Sequence, residues 1–138
     1  MKYLLIPFAV LIAFPVLAAE SALLETIPPP RCVTQPSPGD LLTVSCPLPA
    51  ASTDRRYRFK ADFAGGHDDT MAAIALTANG EPIACGEGSK TRLMGEDGDV
   101  SLECRFRLSG TFRESTAIGA VIKWSHAQYV GFSLVATD

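Results

Sequence analysis

A surplus of basic charge, a second long apolar run, cysteines at metal-binding spacing and helical periodicity are all missing from this 138-residue chain. Its 12 basic side chains face 15 acidic ones, a formal net charge of −3. That balance excludes binding to nucleic acid or to an anionic membrane through bulk attraction. Cys32, Cys46, Cys85 and Cys104 form no C-x₂-C pair, so a zinc ribbon and a dithiol redox motif are excluded. The single asparagine, Asn79, is followed by Gly80-Glu81, which leaves no N-glycosylation acceptor. No stretch of ten residues repeats its apolar positions at helical spacing, and no G-x-S-x-G nucleophile elbow occurs. No cofactor signature is present either, and none is expected to be bound.

What is present begins with a leader. Lys2 is followed by an almost wholly apolar run over residues 3–17, broken at Pro7 and Pro15, and then by the small residues Ala18 and Ala19 before Glu20. Charge, short apolar stretch and small-residue site, in that order, describe a secretory signal peptide over residues 1–19 rather than a membrane span. No cysteine follows the cleavage point, so a lipid anchor is not expected. Cleavage removes Lys2 and no acid, which leaves 119 residues with 11 basic and 15 acidic side chains. The predicted localisation is periplasmic or secreted. The eight arginines against four lysines and the many alanines fit a bacterial source.

Four cysteines in an oxidising compartment imply two disulfides, for which three connectivities exist. The most local, Cys32–Cys46 with Cys85–Cys104, closes loops of 15 and 20 residues, and each such bridge stabilises by about 3 kcal/mol in the loop-entropy picture.

Alternation with a period of two dominates the remainder. Residues 20–40 form a Pro-rich extended approach (Pro28, Pro29, Pro30, Pro36, Pro38). The domain proper spans 41–138. Leu42, Val44, Cys46 and Leu48 share one face, as do Tyr57, Phe59, Ala61 and Phe63, with Arg56, Arg58, Lys60 and Asp62 opposite. Asn79-Gly80 marks a hairpin between Ile74-Ala75-Leu76 and Ile83. Val100, Leu102, Cys104, Phe106 and Leu108 face inward, with Glu103, Arg105 and Arg107 outward. Two last strands place Ile118, Ala120, Ile122 and Trp124 on one face, and Val130, Phe132, Leu134 and Ala136 on another, with a turn over residues 125–128. The expected fold is an all-β antiparallel sandwich of six to eight strands with two disulfides, immunoglobulin-like in architecture. The family signature is absent, because Leu102 stands where immunoglobulins carry Tyr and Tyr57 to Phe59 where they carry Trp.

Several groups could carry chemistry. His67-Asp68-Asp69 sets an imidazole and two carboxylates in a Gly-led loop, a weak candidate metal set that needs more ligands, from His126 or from Glu96, Asp97 and Asp99. Adjacent carboxylates diverge on extended backbone, which favours a solvated turn here. Gly86-Glu87-Gly88-Ser89-Lys90-Thr91 falls short of a phosphate loop, since Ser89 rather than Gly precedes Lys90, and is expected to be a mobile loop held at its ends. Ser125 and His126 are sequence neighbours and point apart on a strand. Arg56, Arg58 and Lys60 on one strand, with Arg105 and Arg107 on another, would form a basic stripe if those strands are adjacent, steering a protein partner with an acidic surface. Trp124, His126 and Tyr129 concentrate near the last turn, where aromatic rings bind partners or stack on sugars; Trp124 is expected in the core, and His126 and Tyr129 to be freer.

Ser109-Gly110-Thr111-Phe112 resembles the Ser-Gly-x-Tyr loop element of bacterial periplasmic lysozyme inhibitors over four residues, with Phe112 where that family has Tyr. The resemblance implies an exported, disulfide-linked β protein that presents loops to a hydrolase. Compact size, a disulfide-braced sandwich, polar Gly-rich loops and no assembled catalytic set make the leading expectation a non-catalytic exported binding protein, an inhibitor or immunity protein blocking a cell-wall-directed hydrolase or toxin. The alternative is a carbohydrate- or lipid-binding accessory module of the cell envelope, and a third reading is a small metal-dependent hydrolase centred on His67.

Overall fold

The structure, a computed structural model, describes residues 25–26, 31–48, 55–108 and 116–137. The expected leader, residues 1–19, and the motif at 109–112 lie outside them. Ten strands run in chain order: β1 Glu25–Thr26, β2 Val33–Ser37, β3 Leu41–Leu48, β4 Arg55–Gly66, β5 Met71–Ala78, β6 Glu81–Pro82, β7 Arg92–Met94, β8 Gly98–Leu108, β9 Thr116–Ser125 and β10 Gln128–Ala136. Seven of these are five residues or longer, within the expected six to eight; β1, β6 and β7 are two- or three-residue extensions. No helix among the described residues is long and apolar enough to cross a membrane.

Two antiparallel sheets face each other. One has the order β1-β10-β4-β8, the other β2-β3-β9-β5-β6 with β7 also on β5. Alternation in the sequence becomes burial on the inner faces: Phe59, Ala61 and Phe63 of β4, Leu102 and Cys104 of β8, Val44 and Cys46 of β3, Ile118 and Ile122 of β9 are all sealed from solvent. Burying each large aliphatic or aromatic side chain of this set contributes about 2 kcal/mol. The hairpin predicted at Asn79-Gly80 is present, with φ of 49° and 87° at the two turn residues, as a type I′ geometry requires.

The disulfides are Cys32–Cys46 and Cys85–Cys104, the most local pairing. The first binds the start of β2 to β3 within one sheet, so that residues 33–37 of the Pro-rich segment form a sheet edge. The second joins the segment after β6 to β8 and staples the two sheets together. Two disulfides point to an oxidising compartment.

One predicted strand face needs correcting. Val130 is 63% exposed, because β10 carries a bulge: Tyr129 pairs with Phe63 and Gly131 already with Asp62. The extra residue at the bulge turns outward, and Tyr129 takes the inward place that strict alternation would have given to Val130. A second irregularity lies opposite, between Phe63 and Gly66 of β4. Both bulges lie toward the same end of the sandwich, where β4 and β10 separate into loops.

Candidate functional site

Two groups of chemically capable side chains emerge, toward opposite ends of the β4 strand. The first is the arginine face. β4 and β8 are neighbours, and their register sets Arg56 opposite Arg107 and Arg58 opposite Arg105. Lys60 falls opposite Glu103, and Asp62 opposite Ser101. The basic stripe anticipated from the sequence therefore exists as two successive rows of directly opposed arginines. Like charges facing each other across a strand pair work against folding, an effect that Glu103 offsets at Arg58 and Arg105.

Glu103 organises the middle of this face. Its Oε2 accepts from Arg105 Nε at 2.9 Å, and its Oε1 lies 3.6 Å from Arg58 Nε. The Arg58 Nε atom is itself buried and donates no hydrogen bond. Lys60 departs from the stripe: its Nζ lies 3.7 Å from Asp62 Oδ1, which also accepts from Ser101 Oγ at 2.6 Å. Four arginines, Arg56, Arg58, Arg105 and Arg107, line an open groove of about 690 Å³, with Glu87 the one acid among the described residues that line it. The Gly-rich segment 86–90 contributes Gly86 and Glu87 to one wall and is hydrogen-bonded to β8. Gly86 N donates to Arg105 O at 2.7 Å, Ser89 Oγ accepts from Arg105 N at 2.9 Å, and Lys90 and Glu103 exchange backbone bonds at 2.8 Å. These bonds extend the sheet one partial strand beyond β8. The sequence gives no sign that Ser89 and Glu103 meet the same arginine; the bridge between Lys90 and Glu103 brings them there.

The second group lies where the 67–70, 95–97 and 126–127 loops meet. Residues 67–70 form the solvated turn expected, closed by Thr70 N donating to His67 O at 3.0 Å, and on it the neighbouring carboxylates do not diverge. Ligand atoms of His67, Asp68 and Asp69 consequently lie within 4.8 Å of one another. His67 Nδ1 accepts from Asp69 N at 3.1 Å and lies 3.5 Å from Asp68 Oδ1. His126 lies beside this cluster without being part of it, its ring centroid 5.7 Å from that of His67. Glu96 does not join it, since its carboxylate is bonded to Lys90. Thr70, wholly sealed from solvent, ties the two histidine loops together: its Oγ1 accepts from His67 N at 2.8 Å and donates to His126 O at 2.5 Å. Nothing in the sequence singles out this threonine.

The aromatic residues sit behind this end. Trp124 and Tyr129 stack at 5.1 Å between centroids, and both approach the Phe63 ring at 6.0 Å. Both are half-buried against the core. Trp124 is thus less enclosed than expected, and Tyr129 less free, because the β10 bulge folds its ring inward. Burial, with the nearby Asp62 carboxylate adding to it, pushes the Tyr129 phenol up to about 12. The free edge of Trp124 borders an open groove of about 570 Å³ beside Met71, Met94 and Lys123.

No family model matches the chain, and comparison with curated protein sequences finds no match. Some solved structures are similar to it. A structure of infectious bursal disease virus, Gx strain, superposes with a TM-score of 0.51 at 12% identity over 82% of this chain, which spans 31% of the viral one. A family 35 carbohydrate binding module from Clostridium thermocellum gives 0.43 at 13% identity, covering 76% of this chain and 87% of that one. The C-terminal CBM6 of LamC from Zobellia galactanivorans gives 0.43 at 8% identity, covering 78% and 89%.

Proposed function

We propose that the protein is an exported, non-catalytic binding module that holds an acidic carbohydrate of the cell envelope in the arginine groove. The observation that carries this reading is the register that opposes Arg56 to Arg107 and Arg58 to Arg105 along one open trough. Guanidinium forks match carboxylate and sulfate groups bidentately. A volume near 690 Å³ lies within the range of small-ligand sites. The aromatic rings beneath the groove, Tyr57 and Phe106, are buried, so it lacks the protruding apolar anchor on which protein partners concentrate binding energy. Glu103, bonded to Arg105 Nε and 3.6 Å from Arg58 Nε, already orders part of this face, which lowers the cost of ordering it on binding.

A second reading, an inhibitor or immunity protein capping a hydrolase with an acidic surface, uses the same residues. It draws on the exposure of Arg56, Arg105 and Arg107 on an open face, where a broad partner could dock.

Calorimetric titration of the mature protein with uronate-bearing, sulfated and neutral oligosaccharides tests the proposal. Acidic chains are expected to bind, with affinity falling as salt rises, and an Arg56→Glu/Arg105→Glu variant that stays folded should bind at least ten-fold more weakly. Equal binding of neutral chains, or none of acidic ones, would overturn it. Capture of a periplasmic hydrolase whose inhibition disappears in the same double variant would establish the second reading instead.

A further inference from the structure

The His67 turn is independent of the arginine groove and supports a separate assignment. Both histidines of the chain, 59 residues apart in sequence, are brought together on exposed loops, with two carboxylates beside them. We infer that His67, His126 and the Asp68–Asp69 carboxylates form a site for a divalent transition-metal ion of the zinc class.

The spacing is what a small tetrahedral ion needs. With metal–nitrogen and metal–oxygen bonds of about 2.0–2.1 Å, two neighbouring ligand atoms stand about 3.3 Å apart, and two imidazole centroids about 5 Å apart. His67 Nδ1 and Asp68 Oδ1 are already separated by 3.5 Å, and the two rings by 5.7 Å. The remainder falls to His126, which lies outside the 4.8 Å cluster of the other three and whose exposed ring has to turn toward them. Nδ1 presents its lone pair, which accepts from the Asp69 amide, and a carboxylate oxygen faces the same atom. A cation bound at Nδ1 would take the lone pair from the Asp69 N–H, with the Asp68 carboxylate oxygen 3.5 Å away as a neighbouring ligand.

The scaffold around the histidines is fixed. Thr70 locks the backbones of both loops, Gly95 N donates to Thr70 O at 2.8 Å, and His126 is held at φ 55°. Pre-positioned ligands lower the ordering cost of binding. Imidazole nitrogen with one or two carboxylates selects zinc, nickel or copper; calcium requires six to eight oxygens, more than these four side chains supply.

The test is calorimetry of untagged mature protein, purified without chelator-charged resin, against Zn²⁺ and Ca²⁺. One Zn²⁺ per chain is expected, with no Ca²⁺ uptake. His67→Gln and His126→Asn, the latter chosen because asparagine tolerates positive φ, should each weaken Zn²⁺ binding at least ten-fold while leaving the unfolding midpoint of the metal-free protein unchanged. In amide NMR spectra the Asp69 resonance should shift on zinc addition. Absence of stoichiometric zinc binding, or full binding retained in His126→Asn, overturns the assignment.

Discussion

Replacing Thr70 by valine keeps the shape of a fully buried side chain and removes only its hydroxyl. That hydroxyl accepts from His67 N and donates to His126 O, so the change leaves one amide and one carbonyl without partners. A buried polar group left unsatisfied costs about 1–3 kcal/mol. Both bonds are part-buried, which places each at the lower end and the pair at about 2 kcal/mol. With a urea slope of about 1.5 kcal/mol per molar for a domain of this size, the midpoint should fall by about 1.3 M. Thr70→Ser makes the complementary change: it keeps the hydroxyl and loses a methyl group worth about 0.8 kcal/mol. Trp124, the only tryptophan, lies at the same end and reports unfolding by fluorescence. The expected order of stability is wild type, Thr70→Ser, Thr70→Val, with faster hydrogen exchange at the His67 amide in the last. Thr70→Val as stable as Thr70→Ser would show that packing, not the two hydrogen bonds, joins the loops.

Removing either disulfide by paired alanine substitution should cost about 3 kcal/mol. Only loss of Cys85–Cys104 should also weaken ligand binding, since it anchors segment 86–90 against Arg105; calorimetry on both variants would expose an equal effect, which refutes that role. Tyr129 sets an alkaline limit. Its folded pKa is raised to about 12 from 10.0, so above about pH 10 the unfolded chain loses its proton first, and stability should fall as pH climbs toward the raised value. Urea midpoints measured across that range should decline less for Tyr129→Phe than for wild type, and parallel curves would contradict the assignment.

The fold was largely legible in the sequence because a sheet buried on one face writes its orientation into every second residue. Tyr57 to Phe63 and Val100 to Leu108 turn inward as their alternation requires. Alternation fails at bulges, which add a residue without leaving a mark in composition. Val130 and Tyr129 exchanged expected environments for that reason alone. The Asn79-Gly80 turn was readable because its positive φ angles demand particular residues.

The candidate sites were legible only as inventories. The basic residues of β4 and β8 could be named from the sequence, but their meaning depends on register. A shift of one residue would have turned one strand's arginines inward, and a shift of two would have set Arg56 opposite Arg105, a different pairing of charges. The observed register instead groups four arginines at one end of the strand pair, and sets Lys60 opposite Glu103 and Asp62 opposite Ser101 further along. His67 and His126 depend likewise on a long-range event, the meeting of the β4–β5 and β9–β10 loops through Thr70. Both sites are thus products of strand pairing between distant segments. This is why an acidic chain with no recognisable motif can hold a concentrated basic face at one end and a cluster of imidazole and carboxylate groups at the other.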